Sequence, residues 1–303
     1  MKSKNLAGHL AAAFTVTVWG ATFISTKILL RHFTPVEILL LRFVLGLAAL
    51  WAASPKPMKI ESRRHELYFA GAGLSGLVLY YLCENIALNY GDASIIGVMV
   101  ASAPLFAGIF SAIMCKTRLR PGFFIGFVVA LSGLSLIALH GGDSGHVQPL
   151  GAVLALCGAI SWGVYSNLTR LISECGYPTL GTTRRIVTYG VVFMLPAAVL
   201  MGFRPQAVLT LDGVGLVNLL FLGLGASALC FFIWNYAVGM LGPVKTCVYI
   251  YASPVVTVVL AALILHERMD AWAVLGTVLV LAGLVVSELR LPVHRKEARN
   301  DLS

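Results

Sequence analysis

The chain has 303 residues, 58% hydrophobic and 12% charged, with a mean hydropathy of +0.87 and a formal net charge of +9. A water-soluble domain of this length cannot hide so much apolar surface, so composition excludes a soluble globular protein and points to a polytopic membrane protein. The positive charge does not point to nucleic acid, because no loop interleaves basic and aromatic residues into a binding platform.

Ten apolar runs follow one another, each long enough to cross a hydrocarbon core of about 30 Å as a helix. They cover 8–30, 35–53, 67–90, 93–115, 121–139, 150–172, 179–201, 213–240, 243–265 and 271–289. The first follows Lys2 and Lys4, as a signal peptide would, but it is too long for one and recurs as the sixth run, so it is read as a transmembrane helix. The second starts at Pro35 and carries Arg42. The third holds Tyr80, Tyr81, Glu84 and Asn85. The fourth is interrupted at Pro104, and the fifth places Gly126 and Gly133 two turns apart.

From there the sequence starts again. Shifted by 143 positions, Gly8, Trp19, Gly20, Thr26, Lys27, Pro35 and Arg42 fall on Gly151, Trp162, Gly163, Thr169, Arg170, Pro178 and Arg185. Shifted by 150, Asn85, Ala87, Pro104, Arg118, Gly126, Gly133 and Leu134 fall on Asn235, Ala237, Pro254, Arg268, Gly276, Gly283 and Leu284. The change of offset fits a longer loop between the second and third helices of the later copy. Five crossings per copy turn the second copy upside down, an arrangement characteristic of secondary transporters. The expected fold is therefore an all-α polytopic membrane protein of ten transmembrane helices in two inverted five-helix repeats, 1–141 and 149–290, with a cytoplasmic tail at 291–303.

With ten crossings both termini share a side. That side carries Lys2, Lys4, Lys56, Lys59, Arg63, Arg64, Lys116, Arg118, Arg120, Arg170, Lys245, Arg290, Arg295, Lys296 and Arg299, against Lys27, Arg31, Arg204 and Arg268 on the other. The positive-inside rule then places both termini in the cytoplasm. The six cysteines lie within or beside apolar runs without a Cys-x-x-Cys pair, and all seven histidines fall in loops, tails or helix ends. Neither pattern supports a metal or haem site, and neither a metal nor a cofactor is expected. No Walker-type glycine-rich loop is present to support ATP hydrolysis.

Charges within a span are costly and usually face a partner or a wet cavity. Arg42 lies seven residues past Pro35, and Glu84 seven before Gly91, so both sit at similar depth and adjacent antiparallel helices can bring them together. Two readings stand: an ion pair that fixes one helix against the other, or a carboxylate that lines a cavity and takes a proton or a cationic group. In the second copy Arg185 repeats Arg42 and Arg184 is added, but Trp234 replaces Glu84. Glu174, a helix-end carbonyl, the cytoplasmic surface or an anionic part of a substrate are the open partners for these arginines. Trp19 and Trp162, and Asn85 and Asn235, are repeat mates; with Tyr81, Trp234 and Tyr251 they cluster within the spans and are expected, with Glu84, to wall a pocket. Asn85 and Asn235 equally suit interhelical hydrogen bonding. Arg42, Glu84 and Arg185 are the candidates for charge pairing or coupling. The glycine pairs of the fifth and tenth runs suit close helix packing, within the fold or between protomers.

The Trp-Gly pair opening each copy, Arg42-Phe43, and the run ENIALNYGDASIIGVMVASAPLF before a short basic loop resemble the drug/metabolite transporter superfamily, in its EamA-type branch. The resemblance extends over essentially the whole chain. It implies a central cavity surrounded by helices 1, 3, 4, 6, 8 and 9, helices 5 and 10 packed outside, and a multi-pass place in the bacterial inner membrane. The resulting expectation is a secondary transporter, not an enzyme, that exports a small metabolite such as an amino acid by alternating access. Its partners are a small-molecule substrate, the lipid bilayer and, where transport is coupled, protons; it acts as a monomer or homodimer. The alternatives are a cation or multidrug exporter with Glu84 as counter-charge and, from another class, a membrane-embedded lipid-modifying enzyme, which lacks a catalytic constellation near an interface.

Overall fold

The computed structural model of the protein describes residues 2–114, 116, 119, 121–141, 147–204, 211–241 and 248–288. Among them regular structure is helical, apart from a bridge between Gly91 and Val147. Eight helices are long and apolar enough to span a membrane: α1 (Leu6–Leu29), α2 (Pro35–Ala53), α3 (Arg63–Ala87), α4 (Ala93–Met114), α5 (Pro121–His140), α6 (Pro149–Glu174), α7 (Thr179–Leu200) and α8 (Gly213–Trp234). Two shorter apolar helices, α9 (Tyr249–Leu265) and α10 (Ala271–Ser287), complete the order read from hydropathy. The expected tail at 291–303 lies outside the described residues.

Local chemistry sets the helix ends. Thr34 and Glu37 form a reciprocal capping box in front of Pro35, which starts α2. Side chains of Ser62, Asp212 and Asp270 accept the backbone N–H three residues on at the starts of α3, α8 and α10. Gly176 and Gly202 adopt φ of 75° and 72° just after α6 and α7, a conformation that costs glycine nothing.

The two mid-span prolines act as expected. Before Pro104 α4 is broken into Ala93–Val100 and Ala103–Met114, and before Pro254 a 3-10 turn, Val248–Ala252, gives way to Ser253–Leu260. Less expected are two wide π-helical stretches at equivalent places of α3 and α8, Gly73–Leu79 and Phe221–Leu229. Both sit at close crossings. A side chain on Gly73 would meet Tyr189 and Gly190 of α7, and one on Gly223 would meet Leu45 and the Arg42 carbonyl of α2.

The helices sort into two groups, each drawn from both copies: α1 and α2 pack with α8 and α9, while α6 and α7 pack with α3 and α4. The groups exchange under the internal repeat, so the pseudo-two-fold relates them. Outside them α5 and α10 pack along each other. Gly126 meets Gly283 and Gly133 meets Gly276, and a methyl on Gly133 would lie 2.6 Å from the Gly276 carbonyl oxygen. The small-residue pairs therefore serve a contact inside the fold.

Candidate functional site

A cavity of about 710 Å³ lies between the two groups. It runs from Glu84 past Pro104 to Ser111, Leu119, Arg170 and Ser287, beside the ends of α4, α6 and α10. It thus opens toward the face that carries the termini. At its other end Leu88, Ile95, Ile96, Val98 and Met99 are fully buried in a packed cluster.

Beyond this cluster the opposite face is latched by polar contacts. The Lys27 ammonium donates to the carbonyl oxygens of Leu88 and Gly91. Glu267 accepts the Ala93 and Ser94 backbone N–H groups at 2.9 and 3.0 Å and the Ser94 hydroxyl at 2.7 Å, closing the exposed start of α4. A second, shallower pocket of about 380 Å³ opens on this face beside Lys27, Arg31, Asp92 and Glu267.

The main cavity has aromatic walls. Trp162 lies 4.7 Å from Tyr80 between ring centroids and 4.8 Å from Tyr165. Across from it Trp19 donates its indole N–H to the Ala226 carbonyl at 3.3 Å, which fixes the ring against α8. Trp19, Tyr80, Tyr81, Trp162 and Tyr251 all reach the lining, together with Thr22, Ser111, Ser166 and Asn167. Asn167 is held by donating to the Ala107 carbonyl at 2.9 Å, which ties α6 to the lower half of α4.

At the inner end stands Glu84. Its side chain is 1% exposed, and neither carboxylate oxygen makes a hydrogen bond of good geometry. The Tyr80 hydroxyl and the Arg42 guanidinium are its polar neighbours. Arg42 is equally buried, but it does not form a contact ion pair with Glu84. Its Nε donates to Ser227 Oγ at 2.7 Å, its Nη2 reaches the Tyr81 hydroxyl at 3.4 Å, and its Cζ lies 4.5 Å from the Tyr81 ring centroid. Nη1 is buried without a partner. A carboxylate and a guanidinium thus stand near each other in the membrane interior with hydrogen-bonding capacity to spare. Such groups are costly unless something else binds them.

Of the residues singled out in the sequence, Trp19, Tyr81, Glu84, Trp162 and Tyr251 line the cavity. Asn85 does not. It follows Glu84 by 100° of helix turn, so when Glu84 faces the cavity Asn85 faces the packed side, where it is fully buried with its amide unpartnered. Trp234 also stays out of the lining, behind Trp19, with ring centroids 5.1 Å apart. The side chain of Asn235 lies outside the described residues.

Arg185 turns away from the cavity to Glu66, which accepts from it at 2.6 and 2.7 Å and also takes the Tyr189 hydroxyl. Arg184 caps the end of α2 by donating to the carbonyls of Ser54 and Lys56. Glu174, the nearer acid in sequence, is instead the partner of Arg170. The resemblance also needs adjustment: among the described residues α8 supplies no wall of this cavity, whereas Phe123 of α5 and Ser287 of α10 reach its mouth. Sequence reasoning passed over the mouth residues Ser166, Asn167 and Arg170. The one signal for them was that Arg170 repeats Lys27.

Two inverted copies around a central cavity, held in a shell of apolar helices, define a membrane carrier. The chain belongs to the EamA-like transporter family, whose model matches residues 6–139 and again 149–289. It is 28% identical over 95% of its length to a protein of Streptantibioticus cattleyicolor described as a "probable terminal-alkyne amino-acid exporter", also covered over 95%. It is 25% identical to a "probable amino-acid metabolite efflux pump" of Salmonella typhimurium, with 94% of this chain and 95% of that one aligned. An uncharacterized transporter of Archaeoglobus fulgidus is also 25% identical, over 92% and 96% of the two chains. A solved crystal structure with 22% sequence identity shares the fold, with a TM-score of 0.65 over 94% of this chain and 96% of its own.

Proposed function

We propose that this transporter exports a small ammonium-bearing metabolite, an amino acid or a close amphiphilic relative, by alternating access across a bacterial inner membrane. The observation that carries the reading is Glu84: a buried carboxylate without a hydrogen bond of good geometry, beside the Tyr80 hydroxyl at the inner end of an aromatic-walled cavity. An ammonium group supplies well-formed, charge-assisted hydrogen bonds to this carboxylate, and aromatic faces favour a cation and its apolar body together. At 1% exposure Glu84 becomes reachable once the neighbouring Tyr80 and Tyr81 rings give way. The same oxygens can hold a proton when the substrate has left, which would couple export to a pH gradient. With both termini cytoplasmic, as the loop charges indicate, the cavity in this conformation faces the cytoplasm, ready to load an exported substrate. The names of the bacterial relatives support export and an amino-acid-like cargo.

A second reading, a cation or multidrug exporter, has one observation in its favour. Arg184 and Arg185, the arginines that a substrate carboxylate would most readily meet, are engaged elsewhere. Proteoliposomes loaded with labelled amino acids, or with the amines made by removing their carboxylates, separate the two readings. Movement of the amino acids, lost in Glu84→Gln, supports the first. Movement of the amines alone supports the second. Transport of neither above protein-free vesicles, with and without a pH gradient, would remove the assignment.

A further inference from the structure

Lys27 and Arg170 hold the same position in the first helix of the two copies, yet Lys27 stands on the far face beyond the closed end of the cavity and Arg170 at its open mouth, and they are differently engaged. Lys27 belongs to the group of α1, α2, α8 and α9, and the carbonyls it grips, Leu88 and Gly91, lie in the turn between α3 and α4 of the other group. Its bonds therefore cross the boundary between the groups, at the face that is shut. Arg170 belongs to the group of α3, α4, α6 and α7. Its partners, Glu174 at 3.2 Å and Ser111 at 3.4 Å, lie in that same group, and its side chain is 50% exposed at the face that is open. One equivalent cation ties the groups together where they meet, and the other is tied back where they part.

An inverted-repeat carrier reaches its other state when its equivalent elements exchange arrangements. The counterparts of Leu88 and Gly91 are Val238 and Leu241, in the last turn of the helix Cys230–Leu241, which continues α8 beyond Trp234. The final carbonyls of a helix lack partners within it. A guanidinium on a long stem, with several donors, is suited to reach them. We propose that Lys27 and Arg170 are reciprocal gate residues of the transport cycle. When the cavity opens to the far side, Lys27 releases the α3–α4 turn. Arg170 then leaves Glu174 and seals the near side by donating to the carbonyls of Val238 and Leu241. This inference rests on the alternating-access reading above.

The test uses the full-length protein in lipid nanodiscs, with its native cysteines replaced and one reporter cysteine added. Ser166→Cys sits in the mouth of the main cavity and Asn89→Cys in the far-face pocket. Labelling rates with a water-soluble maleimide report which face is open. Lys27→Gln is expected to slow labelling at 166 roughly tenfold and to speed it at 89, the shift produced by losing charge-assisted hydrogen bonds in one of two states. Arg170→Gln is expected to shift both rates the opposite way, and the double variant to return toward the parent. Lys27→Arg and Arg170→Lys keep a donor and are expected to label like the parent, which separates gating from loss of fold. Both glutamine variants shifting the reporters in the same direction would overturn the proposal, as would unshifted reporters in a protein that transports. A parent protein that moves no amino acid or amine in proteoliposomes would instead strike the transport reading itself.

Discussion

The two copies set an arginine at the same point of their second helix, and the two arginines end in different surroundings. Arg42 is 1% exposed between α3 and α8, bonded to Ser227 and Tyr81 beside Glu84. Arg185 turns out to Glu66 in an ion pair whose two side chains are 33% and 27% exposed. The positions equivalent to Ser227, Tyr81 and Glu84 are Leu77, Phe231 and Trp234, so in the second copy the inward direction offers Arg185 no acceptor. Two turns from its helix end, it reaches the surface instead. The internal repeat thus preserves the scaffold of spans, breaks and close crossings, while the polar interior exists once. The place where the symmetry fails is the place to look for what the carrier binds.

The largest effect that can break this comparison is on stability. Arg42→Gln removes the buried donors to Ser227 and Tyr81 and the charge beside Glu84, and is expected to cost about 2–4 kcal/mol. Arg185→Gln breaks a partly solvated pair and is expected to cost less than about 1 kcal/mol. Thermal unfolding in detergent compares them directly. Equal losses would mean that the two sites are more alike than their burial indicates.

Glu84→Gln comes next and acts on function. Glu84 makes no hydrogen bond of good geometry and has the Tyr80 hydroxyl beside it, a contact that an amide can keep, so the amide variant is expected to stay folded. Its transport is expected to fall by about 10–100-fold, the effect of losing one charged contact to a ligand, and its response to a pH gradient to vanish. A folded Glu84→Gln protein that transports like the parent would deny this carboxylate any direct role.

A change in the symmetric part of the molecule should behave in the opposite sense. Gly133→Val drives a side chain into the Gly276 backbone across the α5–α10 contact. It is expected to destabilise by about 1–3 kcal/mol, as overpacking does. Transport per folded molecule should stay near that of the parent, because this crossing lies outside the two groups that enclose the cavity. Activity measured at equal amounts of monodisperse protein tests that separation.

How much of this was legible in the sequence follows the same division. Spans, helix breaks at Pro104 and Pro254, and the glycine contacts of α5 and α10 were readable, because each depends on residues close in the chain or on the repeat. The π-helical stretches were not, since hydropathy carries no mark of a widened turn within an apolar run. Depth along the membrane placed Arg42 and Glu84 near one another, but not the rotation that sends Arg42 to Ser227 and separates Glu84 from Asn85. Glu66 escaped notice as the partner of Arg185 because Glu174 is nearer in sequence, and that acid is taken by Arg170 one helical turn before it. Trp19 and Trp162 were legible as wall residues through their matched positions, whereas Trp234, whose repeat mate is Glu84, has no such match and stands one layer behind the wall.

That last residue supplies the finest test. Trp162 forms cavity wall against Tyr80, while Trp234 supports Trp19 from behind without reaching the lining. Both become smaller rings as phenylalanine, but only at Trp162 is cavity wall lost, so only there is a bound substrate expected to lose contact area directly. An aromatic contact is worth about 0.5–1.5 kcal/mol beyond its buried area, so Trp162→Phe should raise the KM for transport about two- to tenfold. Trp234→Phe leaves Trp19 its hydrogen bond to Ala226 and its contact with Phe231, centroids 5.7 Å apart, and should change KM less than about twofold. Initial rates over a range of substrate concentrations in proteoliposomes give both values. A larger KM change at Trp234 than at Trp162 would mean that the substrate sits on the α8 side of Trp19, and that the wall assigned from this conformation is the wrong one.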